Sequence, residues 1–489
     1  MERRGFLYVT GLTAMAGWTP PPVLGRLEAA GAQQGGATAS EASWERRLAE
    51  YGAAVRFERL PPAIIGAAKA HLLDTLGCAC GGVGSEPARI VESTFRRAFG
   101  SIGRATVIGG PDPITTEGAA LVNGVLTRVL DFNDTYSGLS VVHPSEVIPT
   151  ALACSEEAGL DGRRLLEAIV VGYEAETRLA DAFAFAERGF YGVSTGGVAV
   201  PLIAAKCLGL SPEIAAHAIG ISFARQLTLI VVSRGDISMM KALPHGHIAM
   251  DGIFAARLAQ GGFTGPSGAI AWFATEVQPK TEPLVIDVDP AQFSLDRVAF
   301  KRFPLQIQLQ TVVEAATRLA PRLKGRASDI QRIDVGTYPE VIRTLADPAK
   351  YRPASRETAD HSLPVCAAMA LLDGDVTLAH FEKERWKADD VLAMAAKVTV
   401  TVSDVLVAKT PRGRGATLTI RLAGGESLSE TVEIPEGDPR KPFSRESLER
   451  KFLALAEPVL GQAGAAKVIE IVAGLESLKD VKTLTQALH

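Results

Sequence analysis

The chain has 489 residues, with 51 Lys plus Arg against 55 Asp plus Glu and a formal charge of −4. That balance excludes the basic excess of a nucleic-acid binder and gives no reason to invoke a charged membrane surface. At 47% hydrophobic and 22% charged, the chain carries enough core material to exclude disorder over most of its length, and its size suggests two or three domains.

Arg3-Arg4 precede Gly5, Phe6 and Leu7, a broken apolar run reaches Trp18, and Ala30-Gly31-Ala32 offers small residues suited to cleavage. This order reads as a twin-arginine export signal over 1–32, followed by a flexible leader over 33–42. The expected location is the periplasm; if the segment is no signal, the cytoplasm. No later stretch reads as a membrane span. Cys78, Cys80, Cys154, Cys207 and Cys366 sit among apolar residues without zinc spacing, and read as small core residues.

From Ser43 to about Gly262 the pattern is helical. Ile64, Ile65, Ala68, His71, Leu72 and Thr75 recur at three-to-four spacing within Pro61–Leu76. Further helices are expected over Thr116–Leu130, Ser145–Glu157, Gly162–Ala186, Gly197–Leu208, Pro212–Leu229 and Met240–Gln260. Many are apolar nearly all round, as buried bundle helices are. After about Asp296 the character changes. Ile330–Thr337, Ala396–Val402, Ala416–Leu422 and Ser429–Ile434 alternate like strands. Helices are expected between them near Gln310–Arg322, Leu363–Leu372 and Ala388–Ala395. From Ser444 the pattern is helical again. The expected fold is therefore α+β: a large all-helical domain (43–297 and 437–489) with an inserted α+β lid domain (298–436).

Two motifs fail on context. Gly192-Val193-Ser194-Thr195-Gly196 matches a nucleophile elbow, but no buried strand leads into it. His245-Gly246-His247 has no carboxylate at a convincing metal-ligand spacing, so no metal is expected.

Four clusters carry candidate chemistry. Asp131-Phe132-Asn133-Asp134-Thr135-Tyr136 ends an apolar helix, and His143-Pro144-Ser145 opens the next. Carboxylates, a hydroxyl and an imidazole thus gather at facing helix ends, either as chemistry or as a capping cluster in which Ser145 and Asp134 satisfy backbone amides. The second is Ser233–Asp236 with Lys241–His247, where basic groups beside a buried helix suit a carboxylate substrate or form a solvated loop. The third is Phe300-Lys301-Arg302-Phe303-Pro304-Leu305-Gln306. The fourth is Ala359-Asp360-His361-Ser362-Leu363-Pro364.

Taken in order, these segments resemble the MmgE/PrpD superfamily of methylcitrate dehydratases, cis-aconitate decarboxylases and iminodisuccinate epimerases. The matching stretches are His71–Gly82, Glu117–His143 with its LDFNDT core, Gly172-Tyr173-Glu174, Lys241–Pro266, Phe300–Pro304 and Arg356–Gly374, over about residues 45–480. The resemblance implies a helical domain with an inserted lid, a homodimer, a small organic acid as substrate, and no metal or organic cofactor. It places the site between domain and lid. Asp131, Thr135 and His143 match functional positions, Lys241 matches the pocket lysine, Arg302 borders the pocket, and Asp360 and His361 match the dehydratase branch. Departures are Tyr191, Gln306 and Gln310 where members carry His, Val365 where an aromatic is common, and Pro244 with His245 displaced by one.

Gln does not titrate near neutrality, so these departures count against the usual dehydration or decarboxylation route. The shared chemistry is proton movement at carbon next to a carboxylate, which needs a base and nearby cations. Asp131, His143 and Lys241 are the expected catalytic groups. Thr135, Tyr191, His245, Arg302, Gln306 and His361 are the expected substrate contacts. Three functions stay open: a lyase expelling a β group, an isomerase or epimerase using the same abstraction, and a non-catalytic ligand-binding protein.

Overall fold

A computed structural model of the chain describes residues 42–110, 112–278, 284–410 and 414–489. The signal and most of the leader expected at the N-terminus lie outside these.

Buried apolar side chains fall into two clusters. The first runs from Leu48 to Val298 and resumes from Leu448 to Leu488. The second runs from Phe303 to Val432. The chain thus leaves one core, builds another, and returns. The fold is α+β, mostly helical with small sheets.

In the first core the helices include Pro62–Gly82, Thr116–Arg128, Gly162–Ala182, Gly196–Cys207, Pro212–Phe223 and Pro244–Gln260. Leu72, Leu76, Cys78 and Ala79 of the first are fully buried; each leucine contributes about 1.5–3 kcal/mol of apolar burial. Thr116–Arg128 and Pro244–Gln260 cross at a glycine pair. A Cβ on Gly124 would stand 2.9 Å from Gly246 Cα, and one on Gly246 would stand 2.6 Å from Leu121 O. Two side-chain-free positions let these helices touch backbone to backbone, which brings the end of one, Arg128, close to the start of the other. Several helices end before the periodicity does. Pro212–Phe223 stops where Gln226–Leu229 turns into a loop, and Ser145–Glu157 begins as a 3₁₀ turn, Pro144–Val147, before the α-helix Ile148–Glu157.

Two helices, Pro62–Gly82 and Arg445–Ala473, are long and apolar enough to cross a bilayer by length and composition, where the sequence reading expected none. They pack on each other. Of the most apolar window, 67% of the first is buried and 28% of the second, so the first is a core helix. The second contains Pro458 and is two helices joined at a kink, Gly461 (φ 68°), so neither part has the length of a span by itself.

In the second core, a four-stranded sheet runs in the order Val398–Val402, Ile330–Thr337, Ala416–Leu422, Ser427–Val432. The first pair is parallel and the others antiparallel. Ala416–Leu422 buries alternate residues Ala416, Leu418, Ile420 and Leu422, the period-two pattern of a sheet covered on one face. Gln310–Leu319 packs against Ala416–Leu422 and Ser427–Val432, and Leu363–Asp373 packs against Gln310–Leu319. All five cysteines are free and buried.

Candidate active site

The seam between the two cores is crossed by one extended segment. Ala299 pairs with Thr135 in an antiparallel bridge, and Phe300 N–H donates to Gly437 O at 2.9 Å. Successive side chains of extended backbone point opposite ways. Lys301, fully buried, points at Asp131: its Nζ donates to Asp131 Oδ1 at 2.9 Å and to Asp131 O at 2.8 Å. Arg302 points away, half-exposed, and pairs with Glu436 at 3.0 Å. Arg302 thus stays outside the buried cluster that its neighbour Lys301 joins.

Asp131 follows the helix Thr116–Arg128 and turns back on it, its N–H donating to Arg128 O at 3.1 Å. Its φ is 48°, one of two positive values outside glycine among the described residues. Asp tolerates that region better than most residues, at a cost of about 1 kcal/mol or more. The strain delivers the carboxylate to three partners: Arg128 Nη1, Lys301 and, from the second core, His361 Nε2 at 3.3 Å. Burial works against its charge, but Arg128 and Lys301 override burial and hold the carboxyl well below its ordinary value.

Arg128 is the hub. Beyond Asp131, its Nε lies 2.8 Å from Glu146 Oε1. Its Nη2 reaches His143 Nε2 at 3.3 Å and Tyr191 Oη at 3.2 Å. His143 Nδ1 lies 2.7 Å from Asp134 O, with Thr135 Oγ1 at 3.1 Å. A carbonyl only accepts, so the neutral ring carries its proton on Nδ1 and its lone pair on Nε2. Burial first, then the Arg128 and Lys301 charges, holds the imidazole well below its ordinary value. His143 is thus a neutral ring with its basic nitrogen turned toward the cationic hub.

Lys241 lies in the short turn Met239–Ala242 and is buried, its Nζ 5.3 Å from the Tyr191 ring centroid. Tyr191 so links the expected pocket lysine to Arg128. Burial pushes its phenol up, which leaves it a hydrogen-bonding wall rather than an acid at neutral pH. His361 bridges the cores: Nδ1 lies 2.5 Å from Asp360 Oδ1 and Nε2 faces Asp131. Donor atoms of Asp131, Asp360 and His361 lie within 4.8 Å of one another, close enough to ligate a cation. Arg128 and Lys301 already supply positive charge to the Asp131 carboxylate, and a metal would have to share it with both.

Two further expected substrate contacts stand apart from this cluster. Gln306 does not reach the cluster with its side chain; Oε1 caps the turn Ile307–Leu309 by accepting Gln308 N–H at 2.6 Å. Only its backbone N–H approaches, donating to Asp360 O at 3.2 Å. Gln310 Oε1 likewise accepts the N–H groups of Arg302 and Phe303, at 3.1 and 3.0 Å, and so fixes the seam segment. His245 lies one layer deeper, 3.3 Å from Glu176 Oε1, and touches neither Asp131 nor His143. Glu176 in turn accepts from Thr195 Oγ1 at 2.9 Å. Ser194 of the failed elbow is buried, its Oγ accepting Thr228 N–H at 3.1 Å.

The sequence reading missed Arg128, Glu146 and Lys301. Glu146 is 1% exposed, and its Oε2 has no hydrogen-bond partner among the described residues. Burial, opposed by His245 and Arg128, pushes its carboxyl up to about 7.

The chain as a whole has matches among known sequences. The description "MmgE/PrpD N-terminal domain" fits residues 46–273, and "MmgE/PrpD C-terminal domain" fits residues 303–477. The chain belongs to the MmgE/PrpD family. Cis-aconitate decarboxylase of Mus musculus is 30% identical over 469 residues, covering 89% of this chain and 91% of that protein. The Homo sapiens protein of the same name is 29% identical over 460 residues, covering 87% and 90%. 2-Methylcitrate dehydratase of Escherichia coli K12 is 26% identical over 403 residues, covering 76% and 81%. These relatives are lyase-type enzymes acting on small organic acids. This MmgE/PrpD chain is a divergent member; Arg128, Asp131 and His143 of its hub lie in the first matched region, and Lys301 lies between the two.

Proposed function

We propose that the chain is a lyase that takes a proton from carbon next to a carboxylate or carbonyl of a small organic acid and expels a β substituent. The observation that carries this is the neutral His143, its Nε2 lone pair facing Arg128 in a buried site that also holds Asp131 and Lys301. A substrate carboxylate takes the Arg128 N–H groups, which frees Nε2 to accept the carbon-bound proton. The C–H electron pair becomes the new double bond, and the β C–O bond breaks with its pair on oxygen. Lys301 and Arg128 stabilise the enolate-like charge. Lys241, behind the Tyr191 ring, is the group we assign to protonate the departing hydroxide to water.

The test is proton NMR in heavy water on the protein from about Gln33 onward. The panel holds 2-hydroxy acids, unsaturated di- and tricarboxylates, amino-dicarboxylates and less polar analogues. Expected is deuterium entry next to a carboxylate together with a new alkene, reduced about 10²- to 10⁴-fold in His143→Ala and Lys241→Ala. Exchange with inverted stereochemistry and no alkene would make it an isomerase. Ligand binding with no exchange anywhere in the panel would make it a binding protein.

A further inference from the structure

Arg302, turned away from the catalytic hub, borders a cavity of about 540 Å³ between the returning helix Arg445–Ala473 and the second core. That volume is the size of a small-molecule site. One wall is Phe132, Phe443 and Leu455 of the helical side; the other is Pro304, Val376 and Leu378 of the α+β side. The apolar walls would lose water to the body of a ligand. The polar lining is unevenly charged: Arg302, Arg450 and Lys451 stand against Glu436 and Asp375, and Asp375 makes no ion pair with any of the three. Arg302 is matched by Glu436 at 3.0 Å, and Lys451 by Asp74 at 2.7 Å. Arg450 donates to Ser447 Oγ at 2.9 Å and has no carboxylate partner among the described residues. One free guanidinium at the rim of an aromatic-walled cavity is the arrangement that holds an anion by its head and an apolar group by its body.

We infer that this cavity is a second small-molecule site, separate from the catalytic hub, that takes an amphipathic organic anion: an aromatic or branched apolar body with one carboxylate or sulfonate on Arg450. The separation is geometric. The seam segment runs between the two places, with Lys301 on the hub side and Arg302 on the cavity side. The ligand would touch both cores at once. Its Phe132 wall is the residue next to Asp131, and Lys451 Nζ binds Phe132 O at 2.9 Å while lying 3.9 Å from the Phe132 ring centroid. The wall also stacks inward: Phe443 on Phe300 at 5.8 Å and Phe300 on His71 at 4.3 Å, with His71 Nδ1 2.8 Å from Asp134 Oδ2.

The test needs no turnover, so its result is independent of the lyase reading. The probe is 1-anilinonaphthalene-8-sulfonate, titrated into the full chain by fluorescence and by calorimetry. One saturable site per chain is expected. It weakens at least tenfold in Arg450→Ala, whose exposed side chain leaves the fold intact, and in Ala454→Trp, which fills the cavity. It is unchanged in His143→Ala. Absence of a saturable site overturns the inference. So does equal affinity in wild type and Arg450→Ala, or loss of binding in His143→Ala instead. Thermal unfolding of each variant identifies any that fails to fold, and Arg450→Ala decides if Ala454→Trp does.

Discussion

Asp131 and Asp134 stand three residues apart, both carboxylates are buried, and they are held in opposite ways. Asp134 Oδ1 accepts Ser145 N–H at 2.9 Å, and Oδ2 takes Tyr173 Oη and His71 Nδ1, each at 2.8 Å. Every partner belongs to the helical core. Asp131 sits on strained backbone, faces two side-chain cations, and draws His361 from the other core. A carboxylate satisfied by hydrogen bonds from one core is part of the scaffold. A carboxylate pinned between cations across a seam is the candidate for chemistry. Burial does not separate the two; the identity and origin of their partners does.

That contrast is sharpest under substitution. Lys301→Ala and Asp131→Asn should each lower deuterium exchange by about 10²- to 10⁴-fold, because each unbalances the charge around His143. Exchange per folded molecule in Asp134→Asn should stay within about tenfold of wild type. An Asp134 variant as inactive as the Asp131 variant, at equal folded fraction, would break the distinction. Urea unfolding tests the scaffold role directly. Asp134→Ala leaves His71 and Tyr173 without their acceptor and should cost about 3–5 kcal/mol. A cost under about 1 kcal/mol would show that Asp134 is no scaffold residue.

Much of this was legible from residue order. The Asp131–Thr135 and His143 cluster could be read as chemistry or as capping. The capping half is visible in Asp134, which accepts the Ser145 N–H, while Asp131 and His143 both contact Arg128. The alternation in Ile330–Thr337 and Ala416–Leu422 gave strands with those bounds. Lys301 was missed because Lys301-Arg302 presents two cations in sequence, and only the Thr135–Ala299 bridge sets which one faces inward. Arg128 and Glu146 were missed because a base at a helix end and an acid in a first turn both read as ordinary complements to the helix dipole. Gln306 and Gln310, which the family resemblance marked as departures, tie down backbone here.

Glu146 gives the comparison a pH axis. Its carboxyl is raised from the ordinary value to about 7, so the folded state binds its proton more tightly than the unfolded chain. Stability contributed by the protonated form is present below about 4.5 and lost as pH rises through about 7, a change of the order of 3 kcal/mol. His245, raised by Glu176 and Glu146 against the effect of burial, loses stability in the same direction, above its ordinary value. The groups facing Glu146 are Arg128, His245, Glu176 and Asp131. Glu146→Gln should flatten the decline between pH 5 and 7 in urea midpoints. An unchanged slope would mean that another group of this cluster carries it.

The smallest effect should come from the residue that sequence order made prominent. Arg302 neighbours Lys301 in the chain, but its guanidinium is partly solvated and its Glu436 partner is too, so their attraction is screened and each side chain loses rotamer freedom to hold it. Arg302→Ala should cost no more than about 1 kcal/mol in stability and leave deuterium exchange within about threefold of wild type. Lys301→Ala, one residue away, removes a buried cation from Asp131 with no water to replace it. If the two variants lose exchange equally, the seam segment does not separate hub from cavity, and Arg302 acts on substrate after all.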